Sequence, residues 1–268
     1  MPMVISRTAP QRNTAAAAAI PPGGILNMSL PALRAAGLLA PEDEEQQLAQ
    51  QYRHIKRPLI TNALGRGAAR LLNGHVIMLA SALAGEGKTF TAINLALSMS
   101  IEKDVHVLLV DADVAKPHVS RLLGVSEAPG LLDVLRDSRR DVESVILRTN
   151  IPTLSVLPAG RPSAEATELL ASARMEHVMR AIAQHDERRL AIFDSPPLLL
   201  TTESHAIAQV AGQVVVVVRA GETPQAAVTA ALHHLGRHPA VSLVMNQCRM
   251  STRTDYYYNT YADRRVEQ

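Results

Sequence analysis

The sequence predicts an α/β fold: a doubly wound, mostly parallel sheet of the P-loop NTPase type with a modified Walker A loop. Short apolar runs at 75–80, 105–110, 153–157, 190–194, 213–218 and 241–245 read as strands. Helical patterns at 89–102, 165–184, 203–209 and 224–236 fall between them, and strands alternating with helices imply a parallel sheet. The first run leads into Ala82-Leu-Ala-Gly85-Glu-Gly-Lys-Thr89, a glycine loop that ends in Lys-Thr and opens a helix.

Residues 1–24 are rich in Ala, Pro, Gln and Asn without periodicity, the composition of a disordered segment. Ala15 to Ile20, behind Arg7 and Arg12, has the outline of a signal peptide. It is too short and ends in Pro21-Pro-Gly-Gly24, so no export is expected. Residues 25–73 read as a helical extension that contacts an activator or another subunit. Leu30, Leu33, Leu38 and Leu39 form a short apolar segment, and Pro41-Glu-Asp-Glu-Glu45 is an acidic helix start. Leu48, Tyr52, Ile55, Leu59 and Ile60 continue a helical stripe interrupted by Pro58.

Residues 74–250 make the nucleotide-binding domain. Glycines let successive backbone N–H groups turn inward as an anion nest, and the following helix adds its positive end. Gly85, Glu86, Gly87, Lys88, Thr89 and Phe90 are therefore candidate phosphate-binding residues. Lys88 supplies a point charge for β- and γ-phosphates, and the Thr89 hydroxyl can ligate Mg²⁺. Ala82 stands where the usual pattern has its first glycine. The strand at 105–110 runs into Asp111-Ala-Asp113 and the strand at 190–194 ends in Asp194. In an open parallel sheet ligands lie outside the carboxyl ends of the strands, so these carboxylates converge on the phosphates. Asp111 and Asp113, two apart in extended backbone, point to one side. Thr89, Asp111 and Asp194 fit a Mg²⁺ ion that takes one or two carboxylates and keeps waters. Within 165–184, Leu169, Leu170, Ala173, Val178, Met179 and Ile182 share one face, and Val214 to Val218 is uniformly apolar, as in a strand covered on both sides. The last segment, 251–268, is a polar, flexible tail holding four of the five tyrosines: Tyr256, Tyr257, Tyr258 and Tyr261. A core does not use tyrosine so, since each phenol needs a partner. The cluster is either an interaction tail or a set of phosphoryl acceptors.

The 268 residues suit one domain with extensions, and 47% hydrophobic with 19% charged residues is ordinary globular chemistry. A net charge of +2 and only 3% aromatics give no stacking platform for single strands, and no nucleic-acid partner is expected. The single cysteine, Cys248, rules out an intrachain disulfide and a cysteine zinc site. The histidines show no metal-ligand spacing. Arg136, Arg139 and Arg140 read as a solvated helix end. No apolar run reaches the ~20 residues that span a bilayer. A cytoplasmic protein is expected.

These motifs resemble those of the bacterial tyrosine kinases that regulate exopolysaccharide production, and are similar to those of the exosortase-associated autokinases of exopolysaccharide loci. The resemblance rests on Gly85-Glu-Gly-Lys-Thr89, on Leu108-Leu-Val-Asp-Ala-Asp-Val-Ala-Lys-Pro117, on Ala191-Ile-Phe-Asp-Ser-Pro-Pro197 and on the tyrosine tail. Tyr52-Arg-His-Ile-Lys-Arg-Pro58 and Gly130-Leu-Leu-Asp-Val-Leu135 are also similar. It implies a protein-tyrosine kinase using ATP and Mg²⁺, with Lys88, Asp111 and Asp113 in catalysis. Asn246 would touch adenine, and the tail tyrosines would be the acceptors. It further implies a separate membrane-spanning polysaccharide co-polymerase as activator, which recruits the chain to the inner face of the cell membrane. The family's Glu-x-x-Arg-x-x-Arg ring helix reads here as Gln50, Arg53 and Lys56, which share a helix face but lack the acidic partner, so a homo-oligomer stays open. The alternatives are a dimerising ATPase switch of the ParA and MinD kind, or a non-catalytic nucleotide-bound adaptor. The switch class carries an extra loop lysine where this chain has Leu83.

Overall fold

The computed structural model describes residues 24–67 and 71–248. The first half contains α1 (Leu30–Ala35), α2 (Glu45–Ala63), β1 (Val76–Ser81), α3 (Lys88–Ser100), β2 (His106–Asp111), α4 (His118–Leu122) and α5 (Leu131–Arg136). The second contains β3 (Leu147–Arg148), β4 (Leu154–Leu157), α6 (Ala166–Leu170), α7 (Ala173–Gln184), β5 (Arg189–Asp194), α8 (Glu203–Val210), β6 (Gln213–Arg219), α9 (Gln225–Leu235) and β7 (Val241–Asn246). Among the described residues the strands form one seven-stranded sheet in the order β3-β4-β2-β5-β1-β6-β7. Every neighbouring pair is parallel except β3 with β4.

Helices cover both faces, which is why the central strands are apolar at successive positions. Val76, Met78 and Ala80 of β1 enter the core beneath α5 to α9, whereas Ile77 and Leu79 enter the core beneath α1 to α3. The outcome is the doubly wound sheet that the alternation of strands and helices predicts.

Three expectations are corrected. The helix α2 runs unbroken through Pro58. Proline removes one backbone bond, but Tyr52, Lys56, Leu59 and Ala63 are buried along one side of α2, which packs on α3 and holds the helix together. The segment 165–184 is two helices. Ser172 ends α6 by donating to the Leu169 carbonyl at 2.6 Å and caps α7 by accepting from the Met175 N–H at 3.3 Å. Lys56 does not share an exposed face with Gln50 and Arg53. Its ammonium is turned inward, donating to the Ser98 carbonyl at 2.6 Å and pairing with Glu102 at 2.7 Å. The short α4, α5 and β3 carry too few residues to show a period.

The link between α2 and the sheet depends on Gln213, at the start of β6. Its amide donates to the carbonyls of Leu59 at 3.0 Å and Gly74 at 2.8 Å, and its oxygen accepts from Asn62 at 3.1 Å. Gln213→Leu keeps the volume but strips these buried groups of partners, so it should cost about 1–3 kcal/mol. Urea denaturation checks this, with a lowered midpoint expected at an unchanged slope.

Candidate active site

The strands β2 and β5 are neighbours in a register that sets Asp111 beside Asp194 at their carboxyl ends. Both carboxylates are buried. Asp111 Oδ2 accepts from the Ser120 backbone N–H and hydroxyl, each at 2.7 Å, and the same hydroxyl accepts from the Ala159 N–H at 3.0 Å. Asp194 Oδ2 accepts from the Thr89 hydroxyl at 2.7 Å. The Oδ1 atoms of both are buried and, among the described residues, have no hydrogen-bond partner. Burial pushes the Asp194 carboxyl up to about 7 against the pull of Thr89, and the negative neighbours Asp111 and Asp113 add to the rise while Lys88 opposes it. Burial likewise raises Asp111 to about 6, opposed by Ser120. Asp113 is half-buried and also raised by burial, while its Oδ1 accepts from the Lys116 N–H at 3.2 Å.

The loop between β1 and α3 faces this pair. Gly85 and Gly87 adopt φ of 82° and 94°, conformations that side chains disfavour. A Cβ on Gly87 would also lie 1.9 Å from the Asn246 amide nitrogen. Lys88 Nζ folds back onto the Ser81 hydroxyl at 3.0 Å, and that hydroxyl donates to the Leu83 carbonyl at 2.6 Å. Burial lowers the Lys88 ammonium, while Asp194, Asp113 and Glu86 counter that shift. The Glu86 side chain turns into the protein rather than toward the cradle. It accepts from the Leu83 N–H at 2.8 Å and from the Thr223 hydroxyl, and its own carbonyl accepts from the Asn246 amide at 3.0 Å.

The structure thus brings Lys88, Thr89, Asp111, Asp113 and Asp194 to one rim of the sheet. Gly85, Glu86 and Gly87 form the loop there, Phe90 follows in the first turn of α3, and Asn246 reaches the loop from the end of β7. The tyrosines Tyr256, Tyr257, Tyr258 and Tyr261 lie outside the described residues. Ser81, Ser120 and Thr223 were not legible as site residues. Each acts through a partner far along the chain or through a turn, and a lone hydroxyl carries no spacing signal.

The donor set fits Mg²⁺. Among the described residues the unpartnered Asp194 Oδ1 and the Thr89 hydroxyl are hard oxygen ligands beside a lysine, and Asp111 stands next to them on the neighbouring strand. Among the described residues no group of three or more His, Cys, Asp or Glu could hold a metal ion by itself.

A parallel sheet carrying a glycine–lysine loop and strand-end carboxylates defines a P-loop nucleotide-binding domain, and residues 74–237 match the AAA domain family. The chain is 31% identical over 216 residues to the tyrosine-protein kinase YwqD of Bacillus subtilis, covering 79% of this chain and 86% of that one. It is 35% identical over 146 residues to the putative tyrosine-protein kinase EpsB of Ralstonia nicotianae, 54% of this chain but only 19% of that longer protein. Among solved structures, the VpsO kinase domain superposes with a TM-score of 0.64 at 25% identity, covering 78% of this chain and all (100%) of that one. The kinase domain of Escherichia coli ETK gives 0.63 at 22%, covering 76% and 78%, a likeness of fold. The chain belongs to the AAA-domain family and, within it, to the bacterial P-loop protein-tyrosine kinases.

Two outcomes follow from this geometry. A carboxyl whose pKa is higher folded than unfolded holds a proton that unfolding releases, so its contribution is complete at low pH and lost as pH rises through the folded value. Asp194 and Asp111 should therefore make the nucleotide-free protein lose thermal stability as the pH climbs from about 4 to about 7. Asp194→Asn should flatten that slope in a melting series. Separately, Thr223→Val frees one side of Glu86 and should raise KM for ATP about tenfold, the loss of one hydrogen bond to a charged group. Turnover at saturation should change less, and Thr223→Ser should restore KM; steady-state kinetics read all three.

Proposed function

We propose that this kinase uses ATP to phosphorylate Tyr256, Tyr257, Tyr258 and Tyr261 on the tail of a neighbouring copy. The modification would control exopolysaccharide synthesis or export through a separate membrane-spanning co-polymerase, which holds the chain at the inner face of the cell membrane. The observation that carries the reading is the convergence of Lys88, Thr89, Asp111 and Asp194, with two carboxylate oxygens left unpaired. The tyrosine-rich tail and the kinase relatives supply the acceptor and the reaction class. Among the described residues no helix is long and apolar enough to cross a membrane, which fits a spanning activator on another chain.

Phosphoryl transfer asks for positioning and charge neutralisation more than covalent help. The loop N–H groups from Gly85 to Phe90 hold the phosphates at the start of α3. Lys88, released from Ser81, places its ammonium on the β- and γ-phosphates. Thr89 Oγ1 and Asp194 Oδ1 are the atoms that would hold Mg²⁺. That ion, when bound, neutralises phosphate charge and stabilises the developing phenolate. Asp111 keeps Oδ2 on Ser120, so Oδ1 is left to orient the phenol and take its proton, flanked by Asp113. A free tyrosine has a pKa of about 10, and a carboxyl raised to about 6 is a better base toward it than an ordinary aspartate. Asn246 holds the loop at Glu86, and its side chain would touch the base of the nucleotide. Phosphates on one tail, at about −1.5 to −2 charges each, repel those on the next and favour separation of the copies.

Lys88→Met should lower phosphotyrosine on the tail by about 10²–10³ while the protein stays folded. Mixed with tagged wild type, its own tail should still be labelled, because the acceptor is supplied in trans. Mass spectrometry of the tail after incubation with ATP and Mg²⁺ reads both, and undiminished labelling of Lys88→Met alone contradicts the assignment.

A further inference from the structure

A second polar depression shares no residue with the nucleotide loop. It lies between the 138–142 turn and one face of α7, with a volume of about 200 Å³. Arg139, Arg140 and Arg174 line it together with one carboxylate, Asp141, while Val142 and Val178 supply buried apolar surface. The carboxylates around it already have partners. Asp141 Oδ1 accepts from the Glu143 N–H at 3.1 Å, and Glu143 holds Arg189 through two contacts of 2.5 and 3.0 Å. Glu176 pairs with Arg180 at 3.0 Å, and Asp137 stands 3.8 Å from Arg139. Arg174 donates one Nη2 hydrogen bond, to the Arg140 carbonyl at 3.1 Å, and its buried Nε has no acceptor. Among the described residues neither Arg140 nor Arg174 has a carboxylate within ion-pairing distance.

A half-buried guanidinium with an orphaned donor is costly unless an anion satisfies it. Its planar fork suits phosphate oxygens, and its face stacks on an aromatic ring. Arg140 and Arg174, the two guanidiniums without a carboxylate partner among the described residues, match a phosphomonoester of about −1.5 to −2 charge. The flat face of a guanidinium offers stacking to a ring that a phosphoserine lacks. We propose that this groove binds an aryl phosphate, namely a phosphotyrosine of the C-terminal tail of another copy, so that a modified tail docks away from the site that made it. The source of the ligand rests on the tail-phosphorylation reading; the chemistry of the groove does not.

The test titrates the full chain, with ADP and Mg²⁺ filling the nucleotide site, against labelled synthetic peptides of residues 252–264. Each peptide carries one phosphate, at Tyr256, Tyr257, Tyr258 or Tyr261. The unphosphorylated peptide and peptides with phosphoserine at the same positions serve as comparisons. Because the phosphate is installed chemically, the outcome is independent of whether the chain labels its own tail. At least one phosphotyrosine peptide should bind wild type, and Arg174→Gln or Arg140→Gln should weaken it about tenfold or more, the loss of a charged hydrogen bond. ATP turnover should stay at the wild-type rate. Binding by no phosphopeptide, equal binding to the variants, or equal binding of the unphosphorylated peptide overturns the site. Equal binding of phosphoserine overturns its preference for an aryl group.

Discussion

Two carboxylates stand side by side at the ends of adjacent parallel strands, sealed from water, each with an oxygen that has no hydrogen-bond partner within normal distance among the described residues. Burial opposes the ionisation of both, and neighbouring carboxylates add to it, Asp111 and Asp113 on Asp194 and Asp113 on Asp111. A sheet shaped only for stability would place valine there. The surrounding groups read as responses to that charge. Ser120 supports one oxygen of Asp111, Thr89 supports one of Asp194, and Lys88 supplies the nearby positive charge. In the proposed mechanism a cation and the phosphates it accompanies meet the remaining need. Strain that a domain tolerates at one rim of an otherwise apolar sheet marks where it works.

The loop opposite is held as carefully as the carboxylates. Glu86 is a buried acid that closes the loop on itself through Leu83 and ties it to the turn after β6 through Thr223. Asn246 adds a tether from the far edge strand and fills the space that a side chain at Gly87 would need. The cradle is thus fixed from three separate parts of the chain before any nucleotide arrives, which lowers the ordering cost of binding. Lys88 resting on Ser81 is positioned in the same way, one short swing from the phosphates.

Much of this was legible in the sequence because local chemistry and tertiary role coincide. The runs ending in Asp111 and Asp194, and the loop ending in Lys88-Thr89, each announce strand, turn and ligand together. What stayed hidden depends on contacts distant along the chain. Ser120 matters through Asp111 and Ala159, and Thr223 through Glu86. Pro58 reads as a helix breaker until the packing of α2 on α3 is seen to outweigh one lost bond. Lys56 reads as surface until its ammonium is found on Ser98 and Glu102. That inward turn removes one of the three positions at which the chain resembled a ring-forming helix. Ser172 splits a stretch whose apolar period continues through the break, because capping is a matter of one hydroxyl rather than of periodicity.

The central claim is that a metal–nucleotide complex satisfies a carboxyl pair which holds protons when alone. Calorimetric titration of Mg²⁺ and ADP into the full chain, in buffers of differing ionisation enthalpy between pH 6 and 8, counts the protons displaced on binding. With Asp194 raised to about 7, the account predicts proton release that is largest near pH 6, fades by pH 8 and falls sharply in Asp194→Asn, above all near pH 7 where Asp111, at about 6, is already mostly ionised. Binding without proton release across that range, or the same release from Asp194→Asn, would contradict it.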